Sequence, residues 1–222
     1  DRAMNRKIVF AHNDIVPDLS VLETNLTLAL PQALTASTGL DVIAHAIDGY
    51  TSRQLNDFSD GPCLQAARMA LEWLPVACRD GSNGTAREKM LNAATIAGLG
   101  FGNSNTGLSH ALGHSAGALF HIGHGRAIGI ALPYSLAYIS ANPPYEGVPA
   151  PLLRLADMAR FVGIDAPSPR ASVDALIAKI RSVQKEIGEP MSLKEAGIAE
   201  DRMQAEIDML VQIAEKDPNM FT

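Results

Sequence analysis

Apolar residues recur at helical spacing over most of the chain. Within the run GLDVIAHAIDGYTS that begins at Gly39, residues Leu40, Ile43, Ala44 and Ile47 fall on one face of a helix. Thr35, Ser37 and Thr38 precede this run as candidate caps. A second helix is predicted over residues 60 to 78, stopped by the turn-forming sequence Asp80-Gly81-Ser82-Asn83-Gly84. Thr85 and Glu88 have capping-box spacing and open a third helix through about Leu99, rich in Ala and Gly and so suited to close packing. The apolar stretch 129 to 139 reads as a buried helix with Pro133 kinking it or placed near its start. Amphipathic helices are expected at 152 to 162, 172 to 187 and 200 to 216. Gly163 and Gly188 stand at their C-terminal stops, and Ser192 with Glu195 repeats the capping-box spacing.

The first thirty residues depart from this pattern. Residues 7 to 11 form a short apolar run, Asn13-Asp14 and Pro17-Asp18 are turn chemistry, and 19 to 22 alternates weakly as a strand would. Two short strands are marginal by themselves in water. They read as a hairpin at the edge of a sheet whose remainder is absent. The expected fold is therefore mainly α, a helical bundle over 31–222 preceded by a strand segment over 1–30.

Composition narrows the partners. The 222 residues are 47% hydrophobic and 19% charged, which suits a folded chain and not a disordered one. The formal net charge of -6 argues against nucleic-acid and anionic-membrane partners, which call for a basic face. No run approaches the length of a membrane span, and no apolar run follows the opening charges as in a signal peptide. Cys63 and Cys78 lack CxxC spacing and read as two structural thiols, with a disulfide as the alternative. A cytoplasmic location is expected.

The chemistry concentrates in NSNTGLSHALGHSAGALFHIGHGRAIGIALP, residues 103 to 133, which holds four of the six histidines. His110 and His114 are four apart and share a helix face. His124 precedes Gly125, which permits close backbone approach. Earlier in the chain, Asp41 and His45 are also one helical turn apart, among apolar neighbours. By itself that pair reads as a first-turn Asp and a core histidine. Together with the other histidines it makes a four-ligand set, and imidazole with carboxylate suits Zn²⁺ or Fe²⁺ better than Mg²⁺ or Ca²⁺. Asp48 reads as helix surface, with support of His45 as the alternative. His12, His121 and Arg53 read as structural or solvated groups.

The segments TASTGLDVIAHAIDGYTS (35 to 52) and AGLGFGNSNTGLSHALGHSAGALFHIGHGRAIGIALP (97 to 133), with PDLSVLETNLTLALP (17 to 31), resemble the iron-containing, group III alcohol dehydrogenases. The resemblance implies metal ligands at Asp41, His45, His110 and His124. It places His114 near the nicotinamide and the substrate, as a catalytic and cofactor-binding residue, and Phe101 in the substrate pocket. It implies Fe²⁺, with Zn²⁺ as the alternative, and NAD or NADP. Hydride would pass between a small primary alcohol or aldehyde and the nicotinamide, and a homo-oligomer, a dimer, is the expected assembly.

Ser115 and Gly123 stand where the family usually has Pro. The family's GGGS-type phosphate turn is not in the chain, and the GxGxG at Gly98, Gly100 and Gly102 follows a helix-forming run instead of a strand. The resemblance therefore assigns 1–30 to an absent nucleotide-binding α/β domain and 31–222 to the metal-binding domain, inactive alone. Two other classes remain open from sequence. One is a stand-alone helical metal-dependent hydrolase, disfavoured by the lack of an adjacent His-Asp pair. The other is a non-catalytic metal-binding module.

Overall fold

A computed structural model describes residues 12–144 and 146–221. Eight α-helices carry the described fold: α1 (Gln32–Thr51), α2 (Asp57–Arg79), α3 (Gly84–Phe101), α4 (Leu108–Phe120), α5 (His124–Ala141), α6 (Pro151–Phe161), α7 (Pro169–Glu186) and α8 (Glu200–Glu215). No strand occurs among the described residues. The mainly α expectation holds, but the hairpin does not appear there. Residues 19–22 are non-helical, solvent-facing chain without a ladder, followed by a 3-10 turn at Thr24–Thr27. The other expected strand, 7–11, lies outside the described residues.

Helix starts fall earlier than the apolar periodicity indicates, because polar caps precede the first apolar position. Asn56 accepts from the backbone of Phe58 and Ser59 to open α2. Asn83, and not the Thr85–Glu88 pair, caps α3 by accepting from Ala86 N. Ser168 caps α7 in the same way. α1 begins directly after Pro31 without a side-chain cap, so Thr35, Ser37 and Thr38 lie inside the helix. The Glu195 amide donates to Ser192 Oγ and the Glu195 carboxylate accepts from the Met191 amide, but these bonds close a turn instead of opening a helix. Gly163 and Gly188 take positive φ after α6 and α7, as expected of C-terminal stops.

α1 is the centre of the bundle. It packs against α2, α3 and α5, and Leu40, Ile43 and Ile47 are fully enclosed. The core continues through Leu74 of α2, Ile128, Leu132 and Leu136 of α5, Leu155 and Met158 of α6, and Leu176 and Ile180 of α7. Small residues set the helix spacing. A Cβ at Gly39 would lie 2.2 Å from a Leu74 methyl carbon, and one at Gly113 would lie 2.4 Å from Ile128. A smaller cluster joins Ala116, Leu119 and Phe120 of α4 to Ile198 and to Leu210 of α8. α4 thus turns its first half toward α1 and α5 and its second half toward α8.

Buried Arg87 fastens the chain before α1. Its guanidinium donates to Thr35 Oγ1 (2.5 Å), to the Leu30 carbonyl (3.0 Å) and to the Gly81 carbonyl (2.9 Å). Cys63 and Cys78 are free and buried, in keeping with structural thiols. Among the described residues no helix is long and apolar enough to cross a membrane.

Candidate metal centre

Three helices converge on the candidate site. α1 supplies Asp41 and His45, α4 supplies His110 and His114, and α5 supplies His124 as its first residue. α5 therefore begins at the histidine itself and well before residue 129. The following Gly125 serves helix approach: a Cβ there would sit 2.0 Å from the Ser37 carbonyl oxygen of α1. Only a glycine lets the start of α5 touch α1, and that contact brings His124 beside Asp41.

One carboxylate is shared among the imidazoles. Asp41 Oδ1 lies 3.6 Å from His110 Nε2 and 3.8 Å from His45 Nδ1, and Asp41 Oδ2 lies 3.5 Å from His124 Nε2. Ligand atoms of Asp41, His110 and His124 all fall within 4.8 Å of one another. His45 sits next to this trio and outside it, its ring stacked on Phe101 (4.2 Å between centroids) and on His110 (4.5 Å). His114 lies farther along α4, with its ring stacked on His124 at 5.2 Å. Of the five predicted polar residues, three converge as a group that could hold an ion, one flanks them and one lies alongside. Phe101 lines a cavity of about 440 Å³ whose walls include Asp41, His45, Val42, Met90 and Leu91.

The site fits a cation on two observations. Asp41 Oδ1 and His110 Nε2 are buried, and neither has a hydrogen-bond partner among the described residues. Unsatisfied buried polar atoms are rare, and an imidazole nitrogen facing a carboxylate oxygen is a donor set for a divalent ion. The electrostatics agree. Burial pushes the Asp41 carboxyl up, but contact with His110 and the charges of His45, His124 and His110 outweigh it and hold the carboxyl down at about 2. Burial pushes His110 down, while Asp41 and Asp48 pull it up to about 9. The carboxylate is thus ionised, and an ion binding here displaces a proton from His110.

Asp217 was not foreseen as part of the site, and Asp48 only as an alternative support of His45. Asp48, expected on the helix surface, is 3% exposed. It contacts His110 and not His45, at 2.8 Å from Nδ1. Asp217, just after α8, accepts from His114 Nδ1 at 2.9 Å. Asn219 donates to Asp217 Oδ1 and accepts from Thr106 Oγ1, which closes the chain end over α4. Both acids have carboxyls held below the ordinary range. Burial opposes this in each case, and the His110 and His114 contacts outweigh it.

Known proteins resemble this arrangement. The profile of the "Fe-containing alcohol dehydrogenase family, C-terminal" matches residues 35–222. The bifunctional aldehyde-alcohol dehydrogenase AdhE of Escherichia coli strain K12 is 34% identical over 227 residues, covering 98% of this chain and 26% of that protein. The crystal structure of a 1,3-propanediol oxidoreductase superposes with a TM-score of 0.81 at 32% identity, over 90% of this chain and 50% of the other. Sulfoacetaldehyde reductase from Bifidobacterium kashiwanohense, solved with NAD+, gives a TM-score of 0.75 at 32% identity, over 90% and 48%. The chain thus spans about a quarter of the E. coli relative and about half of each solved structure. With the helical bundle, the converging aspartate and histidines and the profile match in agreement, the chain belongs to the Fe-containing alcohol dehydrogenase family and corresponds to its C-terminal part.

Proposed function

We propose that this chain is the metal-binding half of an NAD(P)-dependent alcohol dehydrogenase, which moves hydride between a small primary alcohol and the nicotinamide. Fe²⁺ is the proposed ion, with Zn²⁺ as the alternative, held by Asp41, His110 and His124 with His45 as the fourth ligand. In this reading residues 1–30 lead in from a nucleotide-binding domain, and 31–222 turn over no alcohol alone. The observation that carries the proposal is the unsatisfied pair of buried atoms, Asp41 Oδ1 and His110 Nε2, within reach of His124 Nε2. Relatives named for alcohol and aldehyde oxidoreduction, and a neighbour solved with NAD+, support the reaction class.

A divalent ion bound there supplies Lewis-acid polarisation of an alcohol or carbonyl oxygen. The chain's own residues supply the rest. His114 is largely buried and held at Nδ1 by Asp217, which leaves Nε2 as the atom able to take or give a proton. Phe101 stacks on His45 and gives the adjoining cavity an apolar wall, which orients substrate carbon and excludes water.

Metal analysis of the anaerobically purified chain after Fe²⁺ loading tests the assignment. The parent should hold about one ion per chain, and Asp41→Ala and His124→Ala should hold almost none. Full retention by both variants would sink the site.

A further inference from the structure

Asp48 has no place in the chemistry described so far, yet it is more deeply buried than Asp41. A buried carboxylate is costly unless several donors satisfy it. Three donors converge on one of its oxygens. Asp48 Oδ2 accepts from His110 Nδ1 at 2.8 Å, Ser109 Oγ at 2.6 Å and the Gly107 amide at 3.0 Å. The backbone at Gly107 is pressed close, since a Cβ there would meet Asp48 Cγ at 3.4 Å. A merely structural reading is available: the carboxylate satisfies the N-terminus of α4, where the helix dipole favours a negative charge.

A second observation goes further. An oxygen that already takes the Gly107 amide and the Ser109 hydroxyl is an acceptor, so the proton between Asp48 and His110 belongs to Nδ1. Once an ion displaces the second ring proton, the lone pair is therefore on Nε2. This is the atom found buried and without a hydrogen-bond partner, 3.6 Å from Asp41 Oδ1. His110 is itself only 2% exposed, so its ring has no water to choose a different tautomer for it.

We propose that Asp48 is a positioning residue for the cation site, which fixes the His110 ring and its tautomer so that Nε2 is aimed at the ion. This rests on the metal-site reading above. Asp48 comes from the same helix as Asp41 and His45, at spacing i, i+4 and i+7. α1 therefore sets both the carboxylate that takes the ion and the carboxylate that aims the opposing imidazole. The added negative charge also makes the ring a stronger ligand.

The test is cobalt titration of the metal-stripped chain, with Co²⁺ as the probe because its visible spectrum reports coordination geometry. Asp48→Asn is the variant of choice. Its amide oxygen can accept from the same three donors, so the α4 terminus stays satisfied while the charge is lost. The expected result is a rise of roughly 10- to 100-fold in the Co²⁺ Kd, with an altered visible band and a melting temperature close to the parent's without metal. A Kd within about twofold of the parent overturns the proposal, by the same scale. Asp41→Ala and His124→Ala separate the two readings. If they too bind cobalt as the parent does, the metal site itself falls. If they fail and Asp48→Asn does not, the site stands and the positioning role falls. A measurement on the parent alone guards against a variant that does not fold. In the zinc-loaded, ¹⁵N-labelled chain, His110 should show a protonated, exchange-protected Nδ1, and a bare Nδ1 overturns the proposal.

Discussion

Two helices deliver a carboxylate to the histidines of α4, and they are anchored very differently. α1 sends Asp48 to His110 from the middle of the core, with well over half of its twenty residues buried. α8 leads to the Asp217 that holds His114, and it buries only Leu210 and Ala214 while Met209 and Val211 face solvent. Local stability follows packing, so the two His–carboxylate pairs should open at different free-energy cost. His110 is thus fixed by the most deeply packed helix. His114 is held by a segment that follows a sparsely buried one.

The largest effect expected against this contrast is at Gly125. Adding one methyl, Gly125→Ala, drives a Cβ into the Ser37 carbonyl and separates α5 from α1. A loss of roughly 3 kcal/mol, on the order of 10 °C in Tm, should accompany loss of the metal. A variant that melts within about 2 °C of the parent by the same scaling, with its metal intact, would show that the helix contact does not position His124.

Truncations on the two anchoring helices come next. Truncating fully enclosed Ile43 of α1, Ile43→Ala, should cost roughly 3 kcal/mol and weaken metal retention, whereas Leu210→Ala on α8 should cost roughly 2 kcal/mol and leave metal content unchanged. Hydrogen exchange sharpens the comparison. Leu210→Ala should speed exchange at the amides of 214–219 and not at those of α1. Equal loss of metal in both variants would mean that α8 and α1 act as one unit.

The smallest effect is on pH dependence. Burial pushes the Cys63 thiol up from an ordinary 9.0 to about 12. Between those values the unfolded chain releases a proton that the folded chain keeps, so this group's contribution to stability falls as pH rises. The slope should reach roughly 1 kcal/mol per pH unit at most. Denaturant midpoints at pH 8 and pH 10 should therefore differ less in Cys63→Ala than in the parent, and identical differences would remove Cys63 as the cause.

What could be read from the sequence depended on how local each signal was. The helices were legible because residues such as Leu40, Ile43 and Ile47 repeat their period inside one segment. The start of α5 was not, since Gly123, Gly125 and Gly129 dilute helix propensity around His124 while tertiary contact with α1 sustains the helix. Asp48 carried a signal that was read only as an alternative, and toward His45 instead of His110. It lies seven residues after Asp41 on the same face, but a lone charge on a helix most often faces water. Asp217 carried none, because its partner His114 lies 103 residues away and only the folded chain end joins them. Leu19 and Val21 alternate like a strand, but alternation without a partner among the described residues makes no ladder.

Finally, the short link between α4 and α5 bears on the order of assembly. Residues 121–123 join the two helices, with His121 in the left-handed region as the C-cap of α4. The pair carrying His110 and His124 is thus a sequence-local hairpin, which closes at little loop entropy. Asp48 meets His110 across 62 residues and Asp217 meets His114 across 103. Contacts that span more chain form later as a rule. By that rule the α4–α5 hairpin is expected to form first, Asp48 of α1 to meet His110 second and Asp217 to meet His114 last.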